Sequence, residues 1–284
     1  MQRVPTSGGS IAIEQRGEGP PLLLLHGFPQ TRAMWKPVLG FLERDHTCIL
    51  ADLPGYGDSD PPSGPEHATK RVFAGQMIEM MAALGHERFD VAGHDRGGRV
   101  TYRMALDHPD SVERAAILDI LPTSEYWARM DRNFALKIYH WAFLAQPYPL
   151  PETLIGGAPD HFLETKLASW TASKTLDCFE ADAMEAYRRN VMDPVRLKAM
   201  CDDYRAGSSL DVDHDLADRA AGKQIAAPTL IIWGDAGIAQ SAETPLDVWR
   251  EWCVDVTGVA APSGHFPCEE APDETGRALS QFFS

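Results

Sequence analysis

An aspartate between two glycines is the first group in this sequence that could do chemistry. Asp95 lies in GHDRG (93–97), which joins a segment with a strand pattern, 88–93, to one with a helix pattern, 96–108. A glycine on each side of a nucleophile permits a strained turn that lifts the side chain above the sheet. The alternative is that Asp95 only caps the helix. In this context we interpret Asp95 as a nucleophile that attacks a saturated carbon and forms an alkyl-enzyme ester.

Two backbone N–H groups could stabilise the oxyanion that forms when such an ester is hydrolysed. One belongs to Arg96, directly after Asp95 in the turn. The other belongs to Phe28 in HGFP (26–29), which follows an apolar run and could also be an ordinary turn. We predict that Phe28 and Arg96 form the oxyanion hole.

A histidine near the C-terminus could be the general base. His265 lies in SGHF (263–266), after the last segment with a strand pattern. Two acids compete to orient it: Asp119, at the end of 115–120, and Asp235, directly after Gly234. A late acid usually stands a few residues after such a glycine, where this chain has Gly237 and Ile238. We therefore favour Asp119 as the triad acid and interpret Asp235 as a turn residue.

Two cations, Arg96 and Arg99, stand three residues apart and share one face of the first helical turn. Positive charge at this end opposes the helix dipole. A feature that costs stability beside a catalytic motif indicates function. Guanidinium groups bind carboxylates through paired hydrogen bonds, so the pattern predicts an anionic substrate, with surface ion pairing as the alternative.

The elements that must position these groups alternate between strand and helix patterns in the first part of the chain. Such alternation predicts an α/β fold with a mostly parallel central sheet flanked by helices. From about residue 122 to 206, aromatic residues and helix patterns replace the strands, and the sheet pattern resumes near 228. We predict a core of residues 1–121 and 208–284 with an inserted helical cap at 122–207.

The composition excludes several classes of partner. The chain has 284 residues and a net charge of −15, so nucleic acid and anionic membranes are poor partners. The longest aliphatic run, 22–25, is too short to span a bilayer, and residues 1–13 lack the apolar stretch of a signal peptide. The 5 cysteines are widely spaced, which favours a reducing cytoplasm over a disulfide framework. The acidic segment DVDHD (211–215) lacks the glycine and glutamate of a calcium loop, so we expect a solvated connection without metal.

At these motifs the sequence resembles the fluoroacetate/haloacetate dehalogenases of the α/β-hydrolase superfamily, over nearly the whole chain. The similarity is densest at HGFPQ (26–30), GHDRGGR (93–99), LDI (118–120), HW (140–141), DYR (203–205) and GHF (264–266). The resemblance implies an α/β-hydrolase fold with Asp95 as nucleophile, Asp119 as acid and His265 as base. It also implies that Arg96 and Arg99 hold the substrate carboxylate.

The resemblance further assigns His140, Trp141 and Tyr204 to the departing halide. Imidazole, indole and phenol each supply a hydrogen-bond donor, although aromatic residues in helices can also serve packing alone. The leading hypothesis is a cofactor-independent hydrolase that cleaves the carbon–halide bond of small 2-haloacids such as fluoroacetate or chloroacetate. The resemblance also suggests a homodimer.

Two other functions remain open at this point. An epoxide hydrolase would use the same Asp95 nucleophile but needs two cap tyrosines. Tyr204 could be one, whereas Ala142 occupies the usual place of the other and Tyr139 stands nearby. The second alternative is a non-catalytic binder of small ligands on the same fold. Halide release from a haloacid would separate the first hypothesis from both.

Overall fold

The structure is a computed structural model that describes residues 1–237 and 244–284, so Ile238 lies outside the described residues. An 8-stranded sheet has the order β1-β2-β4-β3-β5-β6-β7-β8. Its strands are β1 (Gln2–Thr6), β2 (Gly9–Arg16), β3 (Pro21–Leu25), β4 (Thr47–Ala51), β5 (Phe89–His94), β6 (Val112–Leu118), β7 (Thr229–Gly234) and β8 (Val256–Ala261). The pairs β1–β2 and β2–β4 are antiparallel, and the other neighbouring pairs are parallel. The predicted α/β fold with a mostly parallel sheet is confirmed.

Helices pack on this sheet and on one another. Those outside the segment between β6 and β7 are α1 (Lys36–Leu42), α2 (Lys70–Ala83), α3 (Arg96–Asp107), α12 (Pro245–Trp249), α13 (Pro267–Glu270) and α14 (Pro272–Phe283). Two short 3-10 helices occur at Arg32–Trp35 and Pro65–His67. Helix α3 packs on β5 and β6, which places its first turn above the ends of these central strands.

Burial explains which strands the sequence predicts. In β3 the residues Leu22–Leu25 are fully buried, because parallel strands in the centre of such a sheet are covered on both faces. Strand β1, which the sequence patterns did not predict, lies at the edge of the sheet. Only Val4 of that strand is buried, so its sequence carries no apolar run.

The segment between β6 and β7 is helical. It contains α4 (Thr123–Ala128), α5 (Arg132–Lys137), α6 (His140–Leu144), α7 (Leu150–Gly156), α8 (Pro159–Trp170), α9 (Ala181–Met192), α10 (Pro194–Gly207) and α11 (Leu210–Ala220). Helix α10 contacts α6, α7, α9 and α11 and is therefore the central helix of this segment. Tyr204 lies on α10, whereas His140 and Trp141 begin α6.

The acidic segment 211–215 corrects one expectation. It lies in α11 rather than in a solvated connection, and both Asp211 and Asp215 are buried. Asp215 forms an ion pair with Arg103 of α3 at 2.6 Å, and Asp211 accepts a hydrogen bond from the backbone of Lys70 at 2.8 Å. These carboxylates therefore fasten α11 to core helices, a role that their acid-rich surroundings in the sequence hide.

Two findings concern the described part of the chain as a whole. No helix there combines the length and the apolar character needed to cross a membrane. Across residues 1–237 and 244–284, no group of three or more His, Cys, Asp or Glu side chains is arranged to hold a metal ion.

Candidate active site

The turn at Asp95 has the strain that the glycine pattern predicts. Asp95 has φ 44° and ψ −111°, a backbone conformation that costs energy for any residue except glycine. Gly97 donates its N–H to the carbonyl oxygen of His26 at 2.8 Å, and a Cβ on Gly97 would lie 2.4 Å from the carbonyl oxygen of Leu25. Only glycine therefore lets α3 begin so close to β3. The turn leaves Asp95 buried, with 6% of its surface exposed.

The backbone of Phe28 meets the carboxylate of Asp95. The N–H of Phe28 donates to Asp95 Oδ2 at 2.9 Å. Oδ2 would become the carbonyl oxygen of an ester formed through Oδ1, so this donor already faces the atom on which an oxyanion would develop. Arg96, which supplies the second predicted N–H, is the first residue of α3.

His265 is paired with Asp119. His265 Nδ1 and Asp119 Oδ2 are 2.6 Å apart, and Asp119 Oδ1 accepts a hydrogen bond from the N–H of Gly234 at 3.0 Å. Asp119 directly follows β6 and has φ 51°. Burial alone would lower the pKa of His265, but the hydrogen bond and charge of Asp119 outweigh it and raise that pKa. His265 can therefore hold a proton that it has taken from water.

The second candidate acid occupies a different environment. The side chain of Asp235 is exposed, whereas His265 and Asp119 are both buried. The backbone N–H of Asp235 donates to the carbonyl oxygen of Ala261 at 2.9 Å, which joins the ends of β7 and β8. The geometry favours Asp119 as the partner of His265.

Arg96 and Arg99 are buried beside Asp95 and face it with positive charge. Burial acts to raise the pKa of Asp95, but the charges of His265, Arg96 and Arg99 outweigh it and lower that pKa. Arg99 Nη1 donates to the carbonyl oxygen of Leu121 at 3.0 Å, whereas its Nε and Nη2 have no partner among the described residues. Nη1 of Arg96 is likewise without a described partner. Buried donors of this kind indicate a ligand that accepts hydrogen bonds.

Asp203 is a residue of the site that sequence reasoning did not assign. It binds Arg96 through two contacts, Nε to Oδ2 at 2.9 Å and Nη2 to Oδ1 at 2.6 Å. The other groups that contact its carboxylate are the buried ammonium of Lys70 and the hydroxyl of Tyr56. Nη2 of Arg96 also donates to the backbone carbonyl oxygen of Asp203 at 2.8 Å. Three of the five N–H groups of Arg96 are therefore bound to Asp203, and within the described residues the two on Nη1 remain for a substrate. The feature of the sequence that could have identified Asp203 is its position directly before Tyr204 in the DYR motif.

Aromatic rings form a cluster over the nucleophile. Tyr204 packs 5.6 Å from His140 and 5.7 Å from Trp141, measured between ring centroids. Phe28, whose N–H faces Asp95, packs 5.2 Å from Tyr204. The structure thus brings together the three residues assigned to the halide, although they come from α6 and α10.

The protonation states of Tyr204 and His140 leave each with a hydrogen that it can donate. Burial, with the nearby charge of Asp95, raises the pKa of Tyr204 far above its usual value, so its hydroxyl keeps its hydrogen. Burial, with the charge of Lys166, lowers the pKa of His140, so its ring is neutral. The buried Nδ1 of His140 has no partner within the described residues.

Trp170 is a further wall of this cluster. Its ring lies 4.6 Å from that of His140 and 5.7 Å from that of His265. Its buried Nε1 meets no acceptor in the part of the chain that the structure describes. No motif in the sequence marks Trp170, and a tryptophan in a helix more often serves packing.

Comparisons with known proteins agree with this architecture. The family model for the alpha/beta hydrolase fold matches residues 20–272. The chain is 44% identical over 271 residues to the fluoroacetate dehalogenase of a Burkholderia species, which covers 94% of this chain and 88% of that protein. It is 30% identical over 270 residues to a soluble epoxide hydrolase of Corynebacterium sp. strain C12. That alignment covers 94% of this chain and 91% of the epoxide hydrolase.

A solved structure gives the same result. The chain matches an alpha/beta hydrolase from Nostoc sp. PCC 7120 with a TM-score of 0.96 and 42% identity, over 100% of this chain and 97% of that chain. The resemblance to fluoroacetate dehalogenases that the motifs indicate is confirmed by a relative that matches almost the whole chain. The chain belongs to the α/β-hydrolase family and is an enzyme of the hydrolase class.

Proposed function

We propose that this enzyme hydrolyses the carbon–halide bond of small 2-haloacids, fluoroacetate and chloroacetate among them. The observation that carries the proposal is a set of buried N–H groups on Arg96 and Arg99 beside the Asp95 carboxylate that have no partner within residues 1–237 and 244–284. Two anions must approach each other when Asp95 attacks a haloacid, and these cations offset that repulsion. The relationship to a fluoroacetate dehalogenase supports the same substrate class.

In the first step a carbon–oxygen bond forms and a carbon–halogen bond breaks. Phe28 holds Oδ2 of Asp95, which leaves Oδ1 to attack the carbon that bears the halogen. The halide leaves with the bonding electron pair. His140, Trp141 and Tyr204 are the donors that would stabilise it, since fluoride is a poor leaving group without hydrogen bonds.

In the second step water cleaves the ester. His265 takes a proton from water, and the resulting hydroxide adds to the carbonyl carbon of the Asp95 ester. The N–H groups of Phe28 and Arg96 would stabilise the oxyanion on Oδ2. When the intermediate collapses, His265 gives its proton to the departing alkoxide, which releases a 2-hydroxy acid and leaves Asp95 as a carboxylic acid. Asp95 then loses the remaining proton of the water molecule to solvent, which restores its carboxylate.

The proposal is tested by halide release from fluoroacetate and chloroacetate. We expect both halides from the wild type and neither from Asp95→Asn, because an amide is a far weaker nucleophile than a carboxylate. Circular dichroism of Asp95→Asn would establish that it folds. Chloride without fluoride would keep the nucleophile but remove the role given to His140, Trp141 and Tyr204. Neither halide from the folded wild type would contradict the proposed substrate class.

Epoxide hydrolysis is the second candidate, because a soluble epoxide hydrolase is also a relative. That reaction needs two tyrosines to protonate the epoxide oxygen. Tyr204 is buried in the aromatic cluster, but Tyr139 is 47% exposed and its ring contacts the ammonium of Lys166 at 3.8 Å. Ala142 is also exposed. The cations beside Asp95 have no evident use with a neutral epoxide, and diol formation from an epoxide panel would favour this alternative.

We also propose the organisation that the sequence predicts, with a core of 1–121 and 208–284 and a cap of 122–207. The run of helices between β6 and β7 supports this division.

The proposal of a homodimer is supported by the family resemblance alone. A cytoplasmic location is supported by the cysteines, all 5 of which are free thiols. Sedimentation analysis and cell fractionation test these two points.

A further inference from the structure

A row of buried side chains ends on the backbone of the catalytic histidine. His94 Nε2 lies 2.7 Å from the carbonyl oxygen of His265, and His94 Nδ1 lies 2.9 Å from Gln30 Oε1. Gln30 Nε2 contacts Glu269 Oε2 at 2.5 Å, and the Tyr187 hydroxyl donates to Glu269 Oε1 at 2.7 Å. We name His94, Gln30 and Glu269 the rear chain. All three are buried, and none has a part in the mechanism described above.

The contacts of the rear chain require one more proton than a neutral imidazole and an ionised carboxyl provide. A carbonyl oxygen can only accept, so His94 Nε2 must carry a hydrogen to bind the backbone of His265. If the ring is neutral, Nδ1 is an acceptor. Gln30 must then point its NH₂ group at His94 and its oxygen at Glu269, an orientation that fits the same space. Glu269 must be protonated in order to donate to that oxygen.

The other orientation of the Gln30 amide leads to the same proton count. With Gln30 Oε1 towards His94, both ring nitrogens of His94 must carry hydrogens and the ring is charged. Glu269 is then ionised and accepts from Gln30. In either arrangement the rear chain contains one additional proton, and without it two acceptors would face each other at a distance of 2.5 to 2.9 Å.

The surroundings of Glu269 favour the neutral carboxyl. Burial raises the pKa of Glu269 to about 8, even though the hydrogen bonds from Tyr187 and Gln30 favour its ionised form. Burial and the charge of His265 lower the pKa of His94 to about 4. The other titratable groups that face Glu269 are Glu270 of the same helix, Glu180, Cys178 and Cys268. The two glutamates among them oppose a further negative charge at this place.

We propose that the rear chain holds one buried proton and that this proton positions His265 for ester hydrolysis. The inference rests on the proposed function only for its activity readout. Loss of the proton forces two lone pairs to face each other, and the contact that fixes the His265 carbonyl weakens. Glu269, Gln30 and His94 are therefore positioning residues, which act on the reaction through His265.

Glu269→Gln removes the titration but keeps a hydrogen-bond donor. The new amide can donate to Gln30 and accept from Tyr187, as a protonated carboxyl does. We expect a kcat near the wild-type value at neutral pH and, at about pH 9.5, a kcat at least about threefold above wild type, because only the wild type loses the proton. Identical pH profiles for the two proteins would overturn the proposal.

Tyr187→Phe gives a second test with the opposite sign. It removes a donor that favours the ionised form of Glu269, so the pKa of that carboxyl should rise. The alkaline limb of the kcat profile should therefore move to higher pH. The same substitution in a Glu269→Gln background should leave the limb unchanged, and a shift of equal size in that background would count against Glu269 as the titrating group.

A stability measurement separates this inference from the proposed function. The folded carboxyl has a pKa of about 8 against an ordinary value of 4.5, so the stabilisation it contributes is complete below pH 4.5 and is lost as pH rises to about 8. Across this window the Tm of the wild type should fall relative to the Tm of Glu269→Gln. Glu87 is exposed, so the difference in Tm between the wild type and the control Glu87→Gln should stay constant over the same pH range. Absence of the trend contradicts the buried proton. The trend without halide release leaves the proton in place and rejects the dehalogenase proposal.

Discussion

At the scale of single residues, Asp95 and His265 have opposite electrostatic requirements in one buried site. Asp95 must be ionised to attack, and the positive charges around it lower its pKa against the effect of burial. His265 must accept a proton from water, and Asp119 raises its pKa against the same effect. The site therefore keeps a charged nucleophile and an available base together in surroundings that would otherwise neutralise both.

Asp119→Asn tests the assignment of the triad acid. Without the carboxylate, burial lowers the pKa of His265, so the acid limb of kcat should move to lower pH. The lost orientation of the ring should reduce kcat on the order of 10⁴-fold. A pH series of halide release from chloroacetate would measure both the position of the acid limb and the value of kcat.

Asp235→Asn is the matched control, because Asp235 was the competing candidate for the same role. Its side chain is exposed, and we expect halide release within about twofold of wild type. If Asp235→Asn lost activity while Asp119→Asn kept it, the assignment of the acid would have to be reversed.

Sequence could reveal residues of the site only where they stand in a recognisable local pattern. Asp95 and His265 lie in glycine-flanked motifs and were assigned at once. Asp203 stands in the DYR motif (203–205), but no local pattern shows that its partner is Arg96, 107 residues away in sequence. The same reason hid Glu269, whose partner Gln30 is 239 residues away.

At the scale of elements, the strained turn depends on the close approach of α3 to β3. Gly97→Ala should destabilise the fold by about 2 kcal/mol or more, because its Cβ would meet backbone carbonyl oxygens that cannot move freely. Urea unfolding followed by circular dichroism measures this.

Gly75→Ala in α2 is the matched control. A Cβ there meets nothing within 4 Å, and alanine in a helix interior should stabilise by about 0.5–1 kcal/mol. If Gly97→Ala and Gly75→Ala changed the free energy of unfolding by similar amounts, the crowding at the turn would not contribute to stability.

The sequence predicts a strand or helix when burial of that element requires an apolar pattern, and it fails when other interactions hold the element in place. The central strands β3 and β5 are buried on both faces. The strand pattern at 88–93 agrees with β5 to within one residue at each end. The edge strand β1 was missed because backbone pairing with β2 holds it, not apolar side chains. Helix α11 was misread because buried, paired aspartates look the same in sequence as solvated ones.

At the scale of the whole molecule, a net charge of −15 opposes the arrival of an anionic substrate. The Debye length shrinks from about 30 Å at 0.01 M to about 8 Å at 0.15 M ionic strength, so salt should screen this repulsion more than it weakens the buried arginines. We expect the KM for chloroacetate to fall about twofold over this range with kcat unchanged. A sulfate salt is suitable because halide is a product. A KM that rises with salt would mean that the arginines dominate the field outside the site.

The most direct test of the nucleophilic role of Asp95 is a single turnover of chloroacetate in ¹⁸O-labelled water, with enzyme in excess. If Asp95 attacks carbon, the hydroxyl oxygen of the product comes from its carboxylate. Mass spectrometry should then find unlabelled product and one ¹⁸O atom in the peptide that contains Asp95. Labelled product with an unlabelled Asp95 would mean that water attacks the substrate directly, and the mechanism proposed here would be wrong.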